Sequence, residues 1–330
     1  MAIFKRGGYT DRMKVLVPDY LHASLVGPAR EAAPTAELLP YSENDAPVAG
    51  LEDAEAVLRW AGGKRFAQII EDAPKLRWLH TASAGVDHVL TPAVRANSAL
   101  VLTDSGPAYE IAIGEFVLAW MLMAAHGLTA LADNQRAHVW RGAAQFELHG
   151  KTVGIIGLGP IGRGVAARSK AFGMKTLGLR RQDKPVDNVD DVRMGPDGLE
   201  TLLAESDFVV IAAALTGESR ALMGADALAR MKPSAWLINI ARGGLVDEPA
   251  LIEALQTHAI AGACLDVFAR EPLPPESLLW DLPNVHIAPH NSSGGGAEIE
   301  ARLQAIFLDN LGRFERGEPL ENVVDKEQGY

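Results

Sequence analysis

Residues 153–173, VGIIGLGPIGRGVAARSKAFG, carry glycines at positions 157, 159 and 162, which is the spacing G-x-G-x-x-G. An apolar run precedes these glycines and an amphipathic segment follows them, so the stretch predicts a β-strand, a tight turn and an α-helix. In such a turn Gly157 permits the sharp bend, Gly159 lets the backbone approach a pyrophosphate, and Gly162 lets the helix pack against the strand. The amino end of the helix then faces the anion, which predicts a dinucleotide-binding β-α-β unit.

Further apolar runs, separated by helical patterns, extend this unit toward the carboxyl terminus: MKTLGLR, DFVVIAAAL, AWLINIA, AGACLDVF and NVHIAPH. Together with the first strand they predict six short parallel strands joined by helices, which form a doubly wound α/β sheet. Ligands of such sheets bind at the carboxyl ends of the strands. An earlier series of short apolar runs, from MKVLVPDY to ALVLTDS, predicts a smaller α/β domain that precedes the larger one.

Two long helical patterns mark the predicted domain boundaries. The segment DSGPAYEIAIGEFVLAWMLMAAHGL offers Asp104 or Ser105 as a helix cap, and we expect it to lead into the larger domain. The segment GGGAEIEARLQAIFLDNLGRFERG is an amphipathic helix after a glycine-rich joint, and we expect it to return to the smaller domain. The predicted division is therefore 1–104 with 296–330 for the smaller domain and 105–295 for the larger domain.

The composition of the 330-residue chain indicates a folded protein without a general anion-binding surface. The net charge is −11 and the pI is about 5.3, so we expect neither a nucleic-acid partner nor binding to an anionic membrane. The most apolar segment, IAIGEFVLAWMLMAAHGL, contains Glu115 and is interpreted as a buried helix of a soluble protein. The single cysteine, Cys264, excludes an internal disulfide and a cysteine-based metal site, and we interpret it as a small core residue. With a start, MAIFKRGGYTDR, that lacks the apolar core of a secretory signal, this cysteine usage predicts a cytoplasmic location and no metal.

The second strand of the dinucleotide-binding unit ends in LGLRRQD, which places Arg180 where such sites usually carry an acid. A carboxylate at that position binds the adenosine ribose diol of NAD, whereas NADP requires cations for its 2′-phosphate. Arg180 and Arg181 can each bind a phosphate through two parallel hydrogen bonds, so the sequence favours NADP(H) over NAD(H). Two other interpretations stay open: the arginines are solvated surface charges, or Asp183 serves as the acid.

Three polar residues follow three further strands of the larger domain. Arg242 lies in INIARGGLVDE, Glu271 in LDVFAREPL and His290 in VHIAPHNSSGGG. An arginine can bind a carboxylate and polarise a carbonyl, a histidine can donate a proton, and a carboxylate beside the imidazole favours its protonated form. This set suits reduction of a 2-oxo acid by hydride transfer. Each residue also has a simpler interpretation, in which His290 is a turn residue, Glu271 caps a loop and Arg242 pairs with Asp247.

These motifs, with ASAGVDHVL nearer the amino terminus, resemble the D-isomer-specific 2-hydroxyacid dehydrogenase family in the same order along nearly the whole chain. The resemblance implies a Rossmann-type doubly wound cofactor domain inserted into a smaller, flavodoxin-like α/β substrate domain. It identifies Arg242, Glu271 and His290 as the catalytic arginine, glutamate and histidine. It also implies that the backbone N–H groups of Ala84 and Gly85 bind the substrate carboxylate and that Asp266 binds the nicotinamide carboxamide. Further positions that it implies beside the cofactor are Pro160, Ile161 and Thr216.

The predicted activity is hydride transfer from NADPH to a small 2-oxo acid, which reversibly gives the D-2-hydroxy acid, with glyoxylate or hydroxypyruvate as leading substrates. The resemblance also implies a homodimer joined through the cofactor domains, and we expect its contacts in LADNQRAHVWRG, around Trp140. Trp60 either closes the substrate side of the site or packs in the core. Two alternative functions stay open: a dinucleotide-sensing interaction protein, as in the transcriptional corepressors that resemble this family, and an NAD-dependent dehydrogenase of a bulkier substrate.

Overall fold

The computed structural model describes residues 12–44, 50–61, 66–182 and 184–330. Contacts between Cα atoms divide the chain into a first unit, Met1–Ala108 with Gly295–Tyr330, and a second unit, Tyr109–Gly294. Each unit contains one sheet whose paired strands run parallel, with helices in the connections. The α/β fold class predicted from the sequence is therefore confirmed.

The first unit contains the strands β1 (Met13–Pro18), β2 (Ala36–Tyr41), β3 (Ala56–Arg59), β4 (Trp78–Thr81) and β5 (Val101–Thr103). They form one sheet in the order β2-β1-β3-β4-β5. Trp78 in the fourth of these strands is fully buried and stacks on Phe307 of the carboxyl-terminal helix, with ring centroids 5.5 Å apart. Phe307, Leu311 and Phe314 of that helix share one apolar cluster with Val15 and other residues of the sheet, so this helix covers one sheet face. Numbered along the whole chain, the helices of this unit are α1 (Asp19–Ala32), α2 (Phe66–Asp72), α3 (Pro92–Ala96) and α10 (Ala297–Arg316).

The second unit contains the strands β6 (Thr152–Ile156), β7 (Lys175–Leu179), β8 (Asp191–Arg193), β9 (Phe208–Ile211), β10 (Trp236–Asn239), β11 (Gly262–Leu265) and β12 (Val285–Ile287). They form one sheet in the order β12-β11-β10-β9-β6-β7-β8, which has seven strands where the sequence predicted six. The missed strand, β8, has only three residues, DVR, all half-buried, so no apolar run marks it. The helices are α4 (Gly106–His126), α5 (Leu128–Arg136), α6 (Pro160–Ala171), α7 (Gly195–Glu205), α8 (Ala225–Ala229) and α9 (Glu248–Gln256). The first of them, α4, begins at the end of the first unit.

Apolar side chains cover both faces of the second sheet. On one face Leu177 and Leu237 pack with residues of α7, α8 and α9. On the other face Ile155 packs with Val165 of α6 and with residues of α4. Cys264 is fully buried in this second cluster, and burial raises the pKa of its thiol, so its interpretation as an inert core residue is confirmed.

Within the residues that the structure describes, α4 is the one helix long and apolar enough to cross a membrane. Its most apolar window has a mean hydropathy of 1.5, and 39% of that window is buried, including Val117 and Met121. By length and composition alone a buried helix of a soluble protein passes the same test. The segment after α5 is exposed, and Trp140 within it has a relative exposure of 105%.

Asp104, between β5 and α4, is expected to make the stability of the first unit depend on pH. Its carboxylate accepts a hydrogen bond from the Gly106 N–H at 2.7 Å, and burial raises its pKa from 3.8 to about 6. Between pH 4 and 6 the unfolded chain releases this proton while the folded chain retains it, so this group lowers stability as pH rises through that window. Asp104→Asn should therefore raise the free energy of unfolding at pH 7 by about 3 kcal/mol, because one pKa unit corresponds to about 1.4 kcal/mol.

Urea unfolding at pH 4, 5, 6 and 7 checks this expectation. The gain in Asp104→Asn should shrink to about 0.5 kcal/mol at pH 4, where the folded chain keeps the carboxyl group protonated and the unfolded chain has it about half ionised. Asp72→Asn is the matched control, because Asp72 is an exposed carboxylate of the same unit. A gain of the same size at every pH, or an equal gain in the control, would contradict the assignment to Asp104.

Candidate active site

The glycine-rich turn follows β6, and close backbone contacts require two of its glycines. Gly157 has a φ of +99°, and a Cβ at this residue would lie 2.7 Å from the carbonyl carbon of Ala212. A Cβ at Gly162 would lie 2.0 Å from the carbonyl oxygen of Gly157, so α6 packs directly on the turn. A Cβ at Gly159 would meet no atom within 4 Å, which leaves open space beside the backbone.

The start of α6 is suited to an anion. The helix begins at Pro160, and Gly159 precedes it without any side chain that caps the helix. The first backbone N–H groups of the helix are therefore available to a ligand in the space beside Gly159. Pro160 is exposed and Ile161 is partly buried at this helix start. These residues fit the pyrophosphate of a dinucleotide, and their individual contacts stay predictions.

Arg180 and Arg181 directly follow β7, the strand beside β6. A Cβ at Gly178 would meet the side chain of Leu158 in the glycine-rich turn. Because side chains two residues apart share a strand face, Arg180 leaves β7 on the face of that turn. Arg180 is partly buried, and within the described parts of the chain no side chain pairs with its guanidinium. A cation therefore lies where a dinucleotide site presents its ribose-binding side chain.

Arg181 connects this strand end to the loop after β9. Its Nη2 donates a hydrogen bond to Glu218 at 2.7 Å, and both side chains are at least half exposed. Thr216 fixes the loop, because its N–H donates to Ser219 Oγ at 2.8 Å and its Oγ1 accepts from the Ser219 N–H at 3.2 Å. Asp183, the alternative ribose-binding acid, lies outside the described residues.

Glu271 and His290 follow β11 and β12, and the structure brings their side chains into contact. Glu271 Oε2 lies 2.8 Å from His290 Nδ1. Because an ionised carboxylate can only accept, Nδ1 carries the hydrogen, and Nε2 can exchange a proton with a ligand. The other carboxylate oxygen, Oε1, accepts from the Phe268 N–H at 3.0 Å, which fixes the orientation of Glu271. The side chain of His290 is 48% exposed, so a ligand can reach it.

Asp266 fixes the loop that carries His290. His290 has a φ of +53°, in the left-handed region that costs a non-glycine residue about 1 kcal/mol. Three bonds stabilise this backbone: the His290 N–H donates to Asp266 O at 2.9 Å, and the N–H groups of Asn291 and Ser292 donate to Oδ1 and Oδ2 of Asp266 at 2.8 and 3.0 Å. Asp266 is fully buried, so these contacts make it a positioning residue. Its contact with a nicotinamide carboxamide stays a prediction.

Arg242 begins the turn after β10, which lies beside β11. The side chain of Asn239 builds this turn, because its Nδ2 donates to Arg242 O at 3.0 Å and its Oδ1 accepts from the Ala241 N–H at 3.1 Å. Arg242 is partly exposed, and its Nη1 donates to Ala241 O at 2.8 Å. Asp247, the simpler partner considered for Arg242, caps α9 by accepting from the Ala250 N–H at 3.3 Å. The strand ends that carry Arg242, Glu271 and His290 are consecutive in the sheet.

Gly243→Ala is expected to destabilise the second unit and to displace Glu271. A Cβ at Gly243 would lie 1.9 Å from the carbonyl carbon of Phe268, whose N–H holds the glutamate. Backbone atoms on both sides of this contact must move, and such overpacking costs typically about 3 kcal/mol. Urea unfolding should show this loss. Gly244→Ala is the control, because its nearest neighbour is a side-chain atom of Leu215 at 3.2 Å, and an equal loss in both variants would contradict the argument.

Ala84 and Gly85 lie in the first unit, in the loop after β4, and both are partly buried. Ser83, which precedes them, is fixed from two sides. Its carbonyl oxygen accepts from the Ser105 N–H at 3.1 Å, and its Oγ lies 2.9 Å from Thr81 Oγ1. The loop is therefore anchored at its start, and the binding of a carboxylate by the next two N–H groups stays a prediction.

Two buried polar residues of the first unit, Arg59 and His80, were not predicted from the sequence. They lie near the carboxyl ends of the neighbouring strands β3 and β4. Arg59 ends β3, is 8% exposed and donates from Nη1 to Thr81 Oγ1 at 3.4 Å. His80 of β4 is fully buried. Both lie inside apolar runs, and a polar side chain within a buried strand is the signal that could have identified them. Trp60 is partly buried and packs against the cluster of β1 and α1, so a role beside the substrate stays a prediction.

Within the ranges that the structure describes, no group of three His, Cys, Asp or Glu side chains is arranged to hold a metal ion. The polar side chains described above form hydrogen bonds to one another and to the backbone. They suit a site that binds a dinucleotide and moves one proton.

Comparison with known proteins gives this site a family. Residues 118–292 match the family model described as "D-isomer specific 2-hydroxyacid dehydrogenase, NAD binding domain". A glyoxylate/hydroxypyruvate reductase B from Pectobacterium carotovorum is 40% identical over 284 residues, which cover 83% of this chain and 87% of the relative.

Two solved structures extend the similarity to nearly the whole chain. A D-isomer specific 2-hydroxyacid dehydrogenase from Xanthobacter autotrophicus, in complex with NADPH and MES, has a TM-score of 0.83 and 30% identity, with 97% of this chain and 100% of that chain covered. An NADPH-dependent glyoxylate/hydroxypyruvate reductase from Sinorhizobium meliloti, in complex with NADP and sulfate, has a TM-score of 0.80 and 30% identity at the same coverage. These matches confirm the resemblance noted in the motifs. The chain therefore belongs to the D-isomer-specific 2-hydroxyacid dehydrogenase family, whose members are oxidoreductases with a nicotinamide dinucleotide cofactor.

Proposed function

We propose that the chain is an NADPH-preferring reductase of small 2-oxo acids, with glyoxylate and hydroxypyruvate as leading substrates and the D-2-hydroxy acid as product. The observation that carries the proposal is the Glu271–His290 pair, joined at 2.8 Å at strand ends of the dinucleotide-binding sheet. The names of two similar proteins support the substrate class, since the Pectobacterium relative and the Sinorhizobium structure are both glyoxylate/hydroxypyruvate reductases.

The residues of the chain supply carboxylate binding, carbonyl polarisation and the proton. Bound NADPH would supply a hydride to the carbonyl carbon. The backbone N–H groups of Ala84 and Gly85 bind the substrate carboxylate, and Arg242 binds the same group and polarises the carbonyl oxygen. His290 donates its Nε2 proton to that oxygen, while Glu271 accepts from Nδ1 and holds the ring in place. In the reverse reaction the neutral Nε2 accepts the hydroxyl proton of the 2-hydroxy acid.

The preference for NADPH rests on Arg180 and Arg181. Arg180 leaves β7 on the face of the glycine-rich turn, where a 2′-phosphate would meet its guanidinium. Arg181 has a competing partner in Glu218, at 2.7 Å, so a bound phosphate must share or replace that ion pair. We therefore assign the larger share of phosphate binding to Arg180. Both solved structures named above contain NADP or NADPH, which supports the same preference.

We extend the proposal to domain roles, assembly and location. The first unit is the substrate domain and the second unit is the cofactor domain. Two chains associate through their cofactor domains, and the exposed Trp140, with Val139 at 44% exposure, supplies apolar contact surface. The protein acts in the cytoplasm, where its one thiol, Cys264, stays reduced. Analytical ultracentrifugation tests the dimer, which Trp140→Ala should weaken.

Product analysis tests the activity and separates it from both alternatives. Purified protein incubated with NADPH and hydroxypyruvate should form D-glycerate, which chiral chromatography distinguishes from L-glycerate. Dinucleotide binding without any product from a panel of 2-oxo acids would favour the dinucleotide-sensing alternative. Turnover confined to NADH and larger 2-oxo acids would favour the NAD-dependent dehydrogenase of a bulkier substrate.

A further inference from the structure

A buried chain of hydrogen bonds in the first unit runs through His80. On one side of the ring, Trp78 Nε1 lies 2.9 Å from Thr103 Oγ1, which lies 2.7 Å from His80 Nδ1. On the other side, His80 Nε2 lies 3.0 Å from Ser105 Oγ, which lies 3.1 Å from the carbonyl oxygen of Thr81. All five residues are fully buried, so water does not complete these contacts.

One arrangement of protons satisfies every contact in this chain. The indole N–H of Trp78 can only donate and the carbonyl of Thr81 can only accept, so the hydroxyl of Ser105 must give its single proton to Thr81. Ser105 then accepts from His80 Nε2–H, and His80 Nδ1 accepts from the hydroxyl of Thr103. Burial lowers the pKa of His80 to about 3, so the ring stays neutral and keeps this single N–H near neutral pH.

The chain of bonds leads to the loop that we propose binds the substrate carboxylate. Ser105 donates its backbone N–H to the carbonyl oxygen of Ser83 at 3.1 Å, and Ser83 directly precedes Ala84 and Gly85. The backbone N–H of Ser105 is therefore one of two anchors of Ser83, and the hydroxyl of Thr81 is the other. The His80 ring is also packed against Phe307, with centroids 5.7 Å apart, which restrains the ring from that side.

We propose that His80 is a positioning residue for substrate binding: through Ser105 and Ser83 it holds the N–H groups of Ala84 and Gly85 in place for the carboxylate of the 2-oxo acid. This inference rests on the proposed function and adds to it a residue outside the catalytic set. His80 touches neither substrate nor cofactor in this role. Its loss should therefore raise the KM of the 2-oxo acid and leave kcat and the KM of NADPH close to their original values.

The experiment compares His80→Leu, which cannot form the chain, with His80→Gln, whose side-chain amide can donate to Ser105. In His80→Leu the KM of glyoxylate should rise by about 10-fold, because the N–H groups of Ala84 and Gly85 would no longer be held in place for its carboxylate. A 10-fold rise corresponds to about 1.4 kcal/mol of lost binding. kcat should change by less than about 3-fold, and His80→Gln should recover most of the affinity. Tyr41→Phe is the control, because it removes another buried hydrogen bond of this sheet, Tyr41 Oη to Leu58 O at 2.8 Å.

A second readout keeps the test independent of turnover. Amide hydrogen exchange of the peptide that contains residues 82–86 should accelerate in His80→Leu and stay unchanged in Tyr41→Phe. If His80→Leu does not fold, Ser105→Ala replaces it, because that variant keeps the backbone N–H and loses only the side-chain link.

The outcomes separate this inference from the proposed function. Unchanged glyoxylate KM and unchanged exchange in the His80 variants, with an active wild type, would overturn the inference alone. An equal rise in KM in Tyr41→Phe would also overturn it, because the effect would then be general destabilisation. A wild type without turnover, combined with faster exchange in His80→Leu, would overturn the proposed function and leave the link between His80 and the loop intact.

Discussion

Replacing His290 with alanine is expected to lower kcat for 2-oxo acid reduction by about 10³-fold, within the range of about 10² to 10⁴ that a positioned general acid contributes. The physical reason is the geometry of the pair: Nδ1–H donates to Glu271 at 2.8 Å, which directs the proton-carrying Nε2 away from the carboxylate. No alanine atom can donate a proton to the carbonyl oxygen as hydride arrives. The dissociation constant of the dinucleotide should change by less than about 3-fold, because His290 carries none of the phosphate contacts.

His258 offers a matched control for this prediction. It is an exposed histidine of the second unit and shares the left-handed backbone, with a φ of +56° against +53° for His290. His258→Ala should retain wild-type kcat. The part of its change in the free energy of unfolding that comes from placing alanine in the left-handed backbone should equal that in His290→Ala. Turnover of His290→Ala at the wild-type rate would show that another group donates the proton.

Replacing Arg180 with aspartate is expected to lower kcat/KM for NADPH by about 100-fold or more and to raise it for NADH. Losing a charge-assisted hydrogen bond costs about 1.5–3 kcal/mol, and the new carboxylate adds repulsion of the 2′-phosphate. The same carboxylate can bind the ribose diol of NADH, which explains the opposite change. Initial rates with each nucleotide at a saturating concentration of glyoxylate measure both effects.

Arg230→Asp is the control for the charge change, because Arg230 is a half-exposed arginine of the same unit that pairs with Glu200 at 3.0 Å. It should leave the ratio of kcat/KM for NADPH to kcat/KM for NADH unchanged. Arg181→Asp should have a smaller effect than Arg180→Asp, since Glu218 already pairs with Arg181. An unchanged nucleotide ratio in Arg180→Asp would mean that the arginine is a solvated surface charge.

Sequence periodicity was sufficient for the fold class because apolar runs such as those of β6, β9 and β11 must be buried on both faces of a parallel sheet. It failed for β8, since Asp191 and Arg193 sit on an edge strand that is stabilised by backbone pairing with β7 and not by burial. The positions of Arg242, Glu271 and His290 at consecutive strand ends followed from the topology of the sheet. The contact of a carboxylate with the imidazole was expected from the residue types, and Glu271 makes it with His290 at 2.8 Å. The hydrogen bonds of Arg242 and Glu271 to nearby backbone groups were not expected, because they depend on the paths of the loops.

The buried positioning residues were harder to predict than the polar residues at the strand ends. Asp266 accepts bonds from backbone N–H groups about 25 residues away, and such contacts leave no periodic pattern in the sequence. His80 and Ser105 are also 25 residues apart, on the ends of neighbouring strands, and His80 looks like a minor interruption of the apolar run WLHT. Only the three-dimensional structure shows that such buried polar groups are fully hydrogen-bonded.

The most direct test of the proposed activity is the initial rate of nucleotide oxidation by the wild-type protein with glyoxylate, measured as kcat/KM for NADPH and for NADH. We expect oxidation of both nucleotides and a value for NADPH at least about 10-fold higher, which corresponds to about 1.4 kcal/mol of preferential binding to the 2′-phosphate. A higher value for NADH would contradict the role of Arg180. No oxidation of either nucleotide with glyoxylate or hydroxypyruvate would contradict the proposed activity itself.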